Sequence, residues 1–351
     1  MKVLSLFDGM ACGMIAMQFA GMEVESYDAY EIDKYAIKTA RHNFPMIKEH
    51  GDVFNAYFTQ YEGVDFLIGG SPCTYWSIAQ TKNRETVASG MGWELFSQYV
   101  RALHEAKPKY FIYENNKSMS KDIRASIDKA FGFGAVLINS ALVSAQHRQR
   151  LYWVGKRNYD GTYSKVRVEQ PEDRGILLRD VLENGKAQCL RATYYKDGIR
   201  NMVGNTVDRK TCVAGPTRIG NYPTPDSRLP NSQGNRIYSA DGKAITQSAR
   251  GGGLGATTGL YAMPTDETNG KQHPVYEVRN GLITIKGKQY PIKLQDGYYI
   301  IRKLTVRECM RLQTVPEWYE FPVSDSQAYK MLGNGWTVDV IAHILKGLKE
   351  A

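Results

Sequence analysis

The sequence predicts an α/β protein in which a mostly parallel sheet, flanked by helices, is followed by a smaller, mostly β domain. In residues 1–155, short apolar runs alternate with stretches of helical periodicity, which is typical of parallel strands joined by right-handed crossovers. Residues 156–300 are instead rich in Gly, Asn, Thr, Tyr and basic residues, with short β-like runs. Residues 301–351 become helical again.

Each predicted element follows from a local pattern. Strands are predicted where apolar runs stop at a Gly, a polar or an acidic residue, at 2–7, 24–30, 64–68, 109–113, 151–154 and 281–286. Helices are predicted where apolar residues recur every three or four positions, at 14–20, 34–43, 93–106, 305–312 and 338–348. In open parallel sheets, ligands bind beyond the carboxyl ends of the strands, and the Gly-rich and polar groups follow the strands here.

Length and composition exclude several classes of protein. With 351 residues, 42% of them hydrophobic and 23% charged, the chain has the composition of a soluble globular protein. No apolar run approaches the roughly 20 residues that span a bilayer, and the N-terminus does not resemble a signal peptide. We therefore expect no membrane association and a cytoplasmic location. The cysteines form no closely spaced pair, so free thiols and no metal site are expected at Cys12, Cys73, Cys189, Cys212 and Cys309.

The net charge of +9 is concentrated in the middle of the chain. Residues 1–155 hold 16 basic and 16 acidic residues, whereas residues 156–300 hold 22 and 14. A basic surface neutralises phosphates and gives affinity for nucleic acid that does not depend on sequence. A solvated basic face remains an equally plain interpretation of the charge alone.

The turn after the first predicted strand indicates a nucleotide-like cofactor. Gly9 and Gly13 would let the backbone approach a ligand at the start of the next helix. Glu31, at the end of the second strand, is suited to hydrogen-bond a ribose. A Gly-rich turn after a strand is also common as a simple tight turn, so this feature alone leaves both interpretations open.

Three further groups carry candidate chemistry. Cys73 ends the run Gly-Gly-Ser-Pro-Cys, in which Pro72 restrains a thiol directly after a buried strand. Glu114 follows another predicted strand. Residues 146, 148 and 150 alternate into a strand, which would place one amide and two guanidiniums on one face. Taken singly, each group could be a buried thiol or a polar strand edge.

In this order and at these separations, the motifs resemble those of the cytosine-5 DNA methyltransferase family, of prokaryotic or phage type. The resemblance covers almost the whole chain except the middle segment, and the first motif is closer to that of de novo-type eukaryotic members. The matched positions are 7–13, 31–33, 51–53, 71–73, 114–115, 146–150, 304–313 and 333–335. Two departures stand out: Asn116 replaces the usual Val of the acid motif, and the last motif reads Gly-Asn-Gly-Trp instead of Gly-Asn-Ser.

The resemblance implies a Rossmann-like S-adenosylmethionine-dependent methyltransferase sheet in residues 1–155. It implies a target-recognition domain in 156–300 and a return segment, 301–351, that completes the catalytic domain. The implied reaction transfers the methyl group of S-adenosylmethionine to carbon 5 of a flipped-out cytosine, at a specific short sequence in duplex DNA.

The resemblance also implies residue roles. Cys73, restrained by Pro72, would add to carbon 6, and Glu114 would hold ring nitrogen 3 and the exocyclic amine. Arg148 would hold the cytosine carbonyl and favour the thiolate, with Arg150 in support. The residues expected to bind the cofactor are Phe7, Asp8, Gly9, Gly13, Glu31, Ile32, Asp52, Val53, Asn334 and Val338.

Two segments are expected to contact DNA. The polar, basic stretch 74–92 is predicted to close over DNA, with an ordinary surface loop as the alternative. Residues 235–261 resemble a recognition-domain pattern, in which the usual Thr-Leu pair appears as Thr246-Gln247. The residues expected at the DNA are Ser77, Lys82, Arg84, Arg236, Thr246 and Arg250.

Two other functions remain open from the sequence. An RNA cytosine-5 methyltransferase would have the same fold, although the basic middle segment favours double-stranded DNA. A catalytically inactive DNA-binding regulator would not need Cys73, Glu114 and Arg148, which are all present. We expect a monomer, and the motifs leave open the target sequence and a role in restriction–modification, phage protection or regulation.

Overall fold

A computed structural model describes residues 1–78, 84–182, 216–223, 235–249, 258–265 and 274–350. Its strands are β1 (Lys2–Leu6), β2 (Ser26–Tyr30), β3 (Lys48–Glu49), β4 (Phe66–Gly69), β5 (Tyr110–Asn116), β6 (Val136–Asn139), β7 (Gln149–Arg157), β8 (Tyr163–Lys165), β9 (Arg218–Asn221), β10 (Arg236–Ser239), β11 (Leu260–Pro264), β12 (Val275–Arg279), β13 (Leu282–Ile285), β14 (Lys288–Pro291) and β15 (Gly297–Arg302). Its α-helices are α1 (Cys12–Phe19), α2 (Lys34–Asn43), α3 (Gly90–Ala106), α4 (Lys121–Phe131), α5 (Val306–Leu312), α6 (Asp325–Asn334) and α7 (Val338–Glu350).

The first sheet is mixed, with the order β3-β2-β1-β4-β5-β7-β6 and β8 paired to β7. Strands β1 to β5 are parallel, as the sequence predicts. Strand β7 is antiparallel to both of its neighbours, β5 and β6. The short link from β6 to β7 explains this reversal, because antiparallel strands need only a short connection whereas parallel strands need a long crossover.

Strand β5 runs farther than predicted, and this changes the position of Glu114. The predicted strand ends at 113, but β5 continues to Asn116 because its last residues pair with β7, with Asn116 opposite Arg150. Glu114 therefore lies within the strand. Because Glu114 and Asn116 are two residues apart on β5, Arg150 shares the face of the sheet that carries Glu114.

Helix α1 packs closely on the sheet at Gly13. A Cβ atom on Gly13 would lie 2.4 Å from Ile68 Cδ1 and 2.8 Å from the Tyr27 hydroxyl. Gly13 is buried in α1 and offers no side chain to a ligand. The close packing of α1 on the sheet therefore explains why residue 13 is a glycine. The sequence had instead suggested that this glycine contacts the cofactor.

The second sheet has the order β14-β13-β12-β15-β11-β10-β9 and spans residues 218–302. Its neighbouring strands are antiparallel except for β10 and β11, which are parallel. Alternate residues face one side and form an apolar cluster of their own, which includes Ile237, Val278 and Ile283.

The last 50 residues return to the first sheet. Helix α7 packs against α1. The Tyr319 hydroxyl donates to the Met10 carbonyl at 2.6 Å, and Lys330 pairs with Asp33 at the start of α2. These contacts place the turn between α6 and α7 beside the turn that follows β1.

The junction between β15 and α5 contains a buried ion pair. Arg302 donates through both terminal nitrogens to Glu308, at 2.8 and 2.7 Å, and the Glu308 side chain is fully buried. Glu308 also accepts from the Thr305 backbone while Thr305 caps α5. The acid is therefore satisfied only while the strand and the helix keep this arrangement.

Replacing Arg302 with Ala should lower the free energy of unfolding by about 3–5 kcal/mol, because it leaves a buried carboxylate without its cation. Urea unfolding measures this loss. Arg279→Ala is the matched control, since Arg279 pairs with Glu277 on the surface, and it should leave the unfolding midpoint unchanged. A double change to Arg302→Met and Glu308→Leu should restore most of the loss; equal instability of the single and double variants would contradict this account.

Candidate active site

Cys73 lies on a restrained turn at the end of β4. Pro72 has a φ of −51°, and Cys73 begins a short 3₁₀ turn that ends at Tyr75. A Cβ on Gly70 would lie 2.6 Å from the Glu114 carbonyl oxygen and 3.1 Å from Glu114 Oε2. The glycine thus lets the exit of β4 run directly beside the acid on β5.

Cys73 differs from the other two described cysteines in its exposure. Cys12 and Cys309 are buried, whereas Cys73 is partly exposed. Burial raises the pKa of the Cys12 thiol to about 12 and that of Cys309 well above its ordinary value, so neither forms a thiolate near neutral pH. Among the described thiols, Cys73 has the access that a nucleophile needs. Cys189 and Cys212 lie outside the described residues.

Polar side chains on β5 hold the Cys73 turn. Asn115 Nδ2 donates to the Ser71 carbonyl at 3.1 Å, and the Ser71 and Tyr113 hydroxyls are 2.7 Å apart. Asn116 Nδ2 donates to the Cys73 carbonyl at 3.4 Å. The departure at Asn116 therefore adds a hydrogen bond that Val could not make.

The Glu114 carboxylate is held from two sides. Arg150 Nε lies 3.0 Å from Oε1, and Trp336 Nε1 donates to Oε2 at 3.0 Å. Glu114 is 9% exposed, so one edge of the carboxylate remains open to the site. Trp336 was not among the predicted site residues. Its only signal in the sequence was its place in the atypical last motif.

Arg148 has a different environment from the one expected. Its guanidinium is buried and donates to the backbone carbonyls of Gln247 at 3.3 Å, Gly333 at 3.1 Å and Gly335 at 2.7 Å. Burial and the neighbouring Arg150 lower the pKa of Arg148, whereas Glu114 and Cys73 raise it. Arg148 therefore lies near the thiol, but Arg150 is the arginine that contacts Glu114. Of the three alternating residues, only 150 lies within β7.

The turn after β1 has an open backbone and an incompletely bonded acid. Gly9 has a φ of +64°, and no atom lies within 4 Å of where its Cβ would be. Asp8 Oδ1 accepts from the Ser5 and Tyr27 hydroxyls, at 2.5 and 2.6 Å. Asp8 Oδ2 is buried without a hydrogen-bond partner in the described part of the chain. Burial raises the pKa of Asp8 to about 6.

Two further acids face the same edge of the sheet. Glu31 accepts from the backbone of Gly9 at 2.8 Å and from residues 32 and 33, so its carboxylate is fixed at the end of β2. Glu49, which was not predicted, has two buried oxygens without partners among the described residues. Burial, with the charges of Asp8 and Glu31, raises the pKa of Glu49 to about 8. These acids fit a cationic group such as the sulfonium and ammonium of S-adenosylmethionine.

The other predicted cofactor residues differ in how much surface they offer. Phe7 has a φ of +58° and is half-buried beside this turn, and Ile32 is 75% exposed. Asp52 caps the turn at Val53–Asn55, and Val53 is buried. Asn334 ends α6 and is exposed. Val338 is fully buried in the apolar core, so it offers no surface to a ligand.

The predicted DNA residues are spread over the molecule. Lys82 and Arg250 lie outside the described residues. Ser77 follows the Cys73 turn, and Arg236 lies on β10. Arg84 donates to the carbonyls of Trp76 and Ser118, at 3.1 and 2.7 Å, and so anchors its segment to the protein.

Thr246 is the remaining residue that the sequence predicts to contact DNA. Its hydroxyl donates to the His147 carbonyl at 2.7 Å.

Across the described ranges, no group of three His, Cys, Asp or Glu side chains is placed to hold a metal ion. In the same ranges, no helix is both long and apolar enough to cross a membrane.

The fold is that of known methyltransferases. The chain superposes on the methyltransferase EhMeth of Entamoeba histolytica with a TM-score of 0.60 at 14% identity, covering 99% of this chain and 97% of that one. It superposes on the Dnmt2 methyltransferase of S. pombe with a TM-score of 0.58 at 15% identity, covering 99% and 98%. Both share the mixed α/β sheet fold.

Sequence relatives define the family. The chain is 27% identical to the type II methyltransferase M.HhaI of Haemophilus parahaemolyticus, over 98% of this chain and 93% of that protein. It is 25% identical to the orphan methyltransferase M.SPRI of Bacillus phage SPR, over 99% and 97%. The family model for C-5 cytosine-specific DNA methylases matches residues 1–350. The chain belongs to this family and is a DNA (cytosine-5) methyltransferase, a class that generally uses S-adenosylmethionine.

Glu49→Gln should make the ligand-free protein more heat-resistant at high pH. In the unfolded chain the acid ionises near its ordinary pKa of 4.5, and in the folded protein its pKa is about 8. As far as Glu49 is concerned, the wild-type protein therefore has its full free energy of unfolding below pH 4.5. It loses part of that free energy as the pH rises from 4.5 towards 8, because the folded protein resists ionising Glu49. The variant should melt about 2 °C above wild type at pH 9 and at the same temperature at pH 4.5. Exposed Glu172→Gln is the control; a pH-independent difference would contradict the assignment.

Proposed function

We propose that this enzyme methylates carbon 5 of a cytosine flipped out of duplex DNA, at a short specific sequence, through a covalent adduct with Cys73. The observation that carries the proposal is the convergence of the Cys73 turn and Glu114 at the ends of adjacent strands β4 and β5. Asn116 and Arg150, which contact the thiol turn and the acid, complete the arrangement.

The chemistry follows from the low reactivity of cytosine at carbon 5. The Cys73 thiolate adds to carbon 6, which turns the ring into an enamine whose carbon 5 is nucleophilic. S-adenosylmethionine, when bound, supplies an electrophilic methyl group. Loss of the carbon 5 proton to a base then restores the ring double bond and releases Cys73.

Glu114 and the arginines support this step. A proton shared between Glu114 and ring nitrogen 3 stabilises the charge that develops on the ring, and Glu114 accepts from the exocyclic amine, which selects cytosine over thymine. We assign the cytosine carbonyl to Arg150, because Arg150 already contacts Glu114 on the open face of β7. Arg148 instead holds the backbone around the site, since its described donors bond to three carbonyls.

Asp8, Gly9 and Glu31 would hold the cofactor at the edge of β1 and β2. The unpartnered Asp8 oxygen and the open space at Gly9 support this assignment. Phe7, Ile32, Asp52 and Asn334 would line the same edge.

The base must leave the DNA stack to reach Cys73, at a cost of about a few kcal/mol. We assign target recognition to residues 156–300, which carry the basic excess and include the second sheet, and we assign completion of the catalytic domain to 301–351. The relatives are phage and bacterial enzymes of type II and orphan systems. They support an enzyme that modifies DNA within or beside a restriction–modification system, and we expect it to be monomeric and cytoplasmic.

Bisulfite sequencing of DNA from cells that express the chain tests the function and reveals the target. We expect methylated cytosines in one short sequence context with wild type and none with Cys73→Ser. Purified protein should transfer label from S-adenosylmethionine to duplex DNA and not to transfer RNA; the reverse preference would assign the enzyme to RNA.

The covalent step makes a separate prediction. Wild type should form a denaturation-resistant adduct with duplex DNA that carries 5-fluorocytosine at the target, because fluorine at carbon 5 cannot leave as a proton. Cys73→Ser should form none, while Cys12→Ser and Cys309→Ser, where buried thiols are changed, should still form it. Gel electrophoresis detects the adduct, and its loss only in Cys12→Ser would overturn Cys73 as the nucleophile.

The two arginines should separate in their effects. Arg150→Ala should lower the single-turnover methylation rate about 100-fold when it is measured well below the melting temperature of the variant, because it removes a donor to the base and to Glu114. Arg148→Ala should lower the free energy of unfolding by about 1–3 kcal/mol, because three buried carbonyls lose their donor. If Arg148→Ala is as stable as wild type but has lost the methylation rate, Arg148 and not Arg150 contacts the cytosine carbonyl.

A further inference from the structure

Trp336 occupies the position where the last motif departs from its usual pattern. It lies in the turn between α6 and α7, and its indole packs partly against the apolar core. Its Nε1 donates to Glu114 Oε2 at 3.0 Å. The side chain therefore crosses from the C-terminal segment to the acid on β5.

The backbone around Trp336 is fixed on both sides. Arg148 Nη2 donates to the Gly335 carbonyl at 2.7 Å, and the Gly335 backbone N–H donates to the Met331 carbonyl at 2.7 Å. On the following residue, the buried Thr337 hydroxyl donates to Gln313 Oε1 at 2.9 Å. An indole on a backbone held in this way has little freedom to move.

The fixed backbone also touches the cofactor side of the sheet. A Cβ on Gly335 would lie 3.2 Å from Cys12 Sγ, so the turn passes close to the first residue of α1. Cys12 follows the Asp8–Gly9 turn by three residues. The backbone that carries Trp336 therefore packs against the start of α1, which limits its freedom to move.

We propose that Trp336 is a positioning residue that fixes the Glu114 carboxylate for the target cytosine. With Arg150 on Oε1 and Trp336 on Oε2, rotation of the carboxylate about its last bond breaks one or both contacts. Each oxygen keeps a lone pair for the base, since a carboxylate oxygen accepts two hydrogen bonds. The inference rests on the proposed function, because it acts through Glu114.

Trp336→Phe tests the proposal, since it keeps an aromatic ring and removes the N–H donor. Trp153→Phe is the matched control: Trp153 is fully buried, and its Nε1 donates to Asp128 Oδ1 on α4 at 2.7 Å and not to Glu114. The full-length proteins are compared at saturating cofactor for the rate of adduct formation with 5-fluorocytosine duplex. Affinities for S-adenosylhomocysteine and for a duplex with an abasic site at the target are measured in parallel.

We expect Trp336→Phe to slow adduct formation about 10- to 100-fold, which corresponds to loss of one hydrogen bond to a charged group. Both affinities should stay within about 2-fold of wild type, because neither ligand carries the base that Glu114 holds. Trp153→Phe should keep the wild-type rate. In a Glu114→Gln background, adding Trp336→Phe should change the remaining rate less than 3-fold, since a residue that acts through Glu114 is not additive with it.

Three results would overturn the proposal. The rate of Trp336→Phe could equal that of wild type. Weaker binding of S-adenosylhomocysteine by the same factor as the rate loss would make Trp336 a cofactor contact. Weaker binding of the abasic duplex by the same factor would show a general structural role. If Trp336→Phe melts well below Trp153→Phe, the comparison is repeated with Trp336→Leu, which also lacks a donor, and the same criteria. Failure of wild type itself to form the adduct would reject the proposed function separately.

Discussion

The buried guanidinium of Arg148 is the interaction on which the arrangement of the site depends. It joins the end of the β6–β7 connection to the carbonyls of Gln247, Gly333 and Gly335. These carbonyls come from two segments that lie about 100 and 185 residues after Arg148 in the chain. No carboxylate is hydrogen-bonded to Arg148 in the described structure. The hydrogen bonds to the three carbonyls therefore offset the free-energy cost of burying its charge. Such a cation is tolerated only where its donors are satisfied together, which makes the three segments interdependent.

Lys243 is a second buried cation whose donors bond to backbone carbonyls. Its ammonium is buried and donates to the carbonyls of Ala141 at 2.8 Å and Ser144 at 3.1 Å, and also to that of Ile176. Burial lowers the pKa of Lys243. Close to these two cations, the His147 N–H donates to the Ala244 carbonyl and the Ala244 N–H donates to the Ala145 carbonyl. Residues 243–247 are thus joined to the first sheet by polar contacts that depend on geometry, and apolar contacts alone would fix their relative position less strictly.

The sequence predicted the parts of the site whose signals are local. Helix α2 was predicted with its observed bounds because Asp33 caps it, and Cys73 stood out because Pro72 and two glycines surround it. Helix α4 was missed, although a Ser120 cap, apolar residues at 123, 127 and 131, and a left-handed Gly132 mark it. The signals for α4 were present in the chain, so this omission was avoidable.

Other features depend on contacts between distant residues and could not be predicted. The antiparallel direction of β7 follows from pairing with β5, and the raised pKa of Glu49 follows from its burial and from the nearby charge of Asp8. The hydrogen bond between Trp336 and Glu114 joins residues 222 positions apart. The paired arginines were recognised, but which of them contacts the acid depends on where β7 begins. Residue type and spacing indicate candidate chemistry, whereas tertiary packing decides which candidates contact each other.

The order of these contacts along the chain also has a consequence for synthesis. The thiol and the acid lie at residues 73 and 114, but the donor on Glu114 Oε2, two of the three carbonyls that hold Arg148 and the helix that packs on α1 come from residues 333–350. A ribosome must therefore translate these later residues before the arrangement can close. Nascent chains and products that terminate before residue 333 would carry Cys73 without the surroundings that orient it.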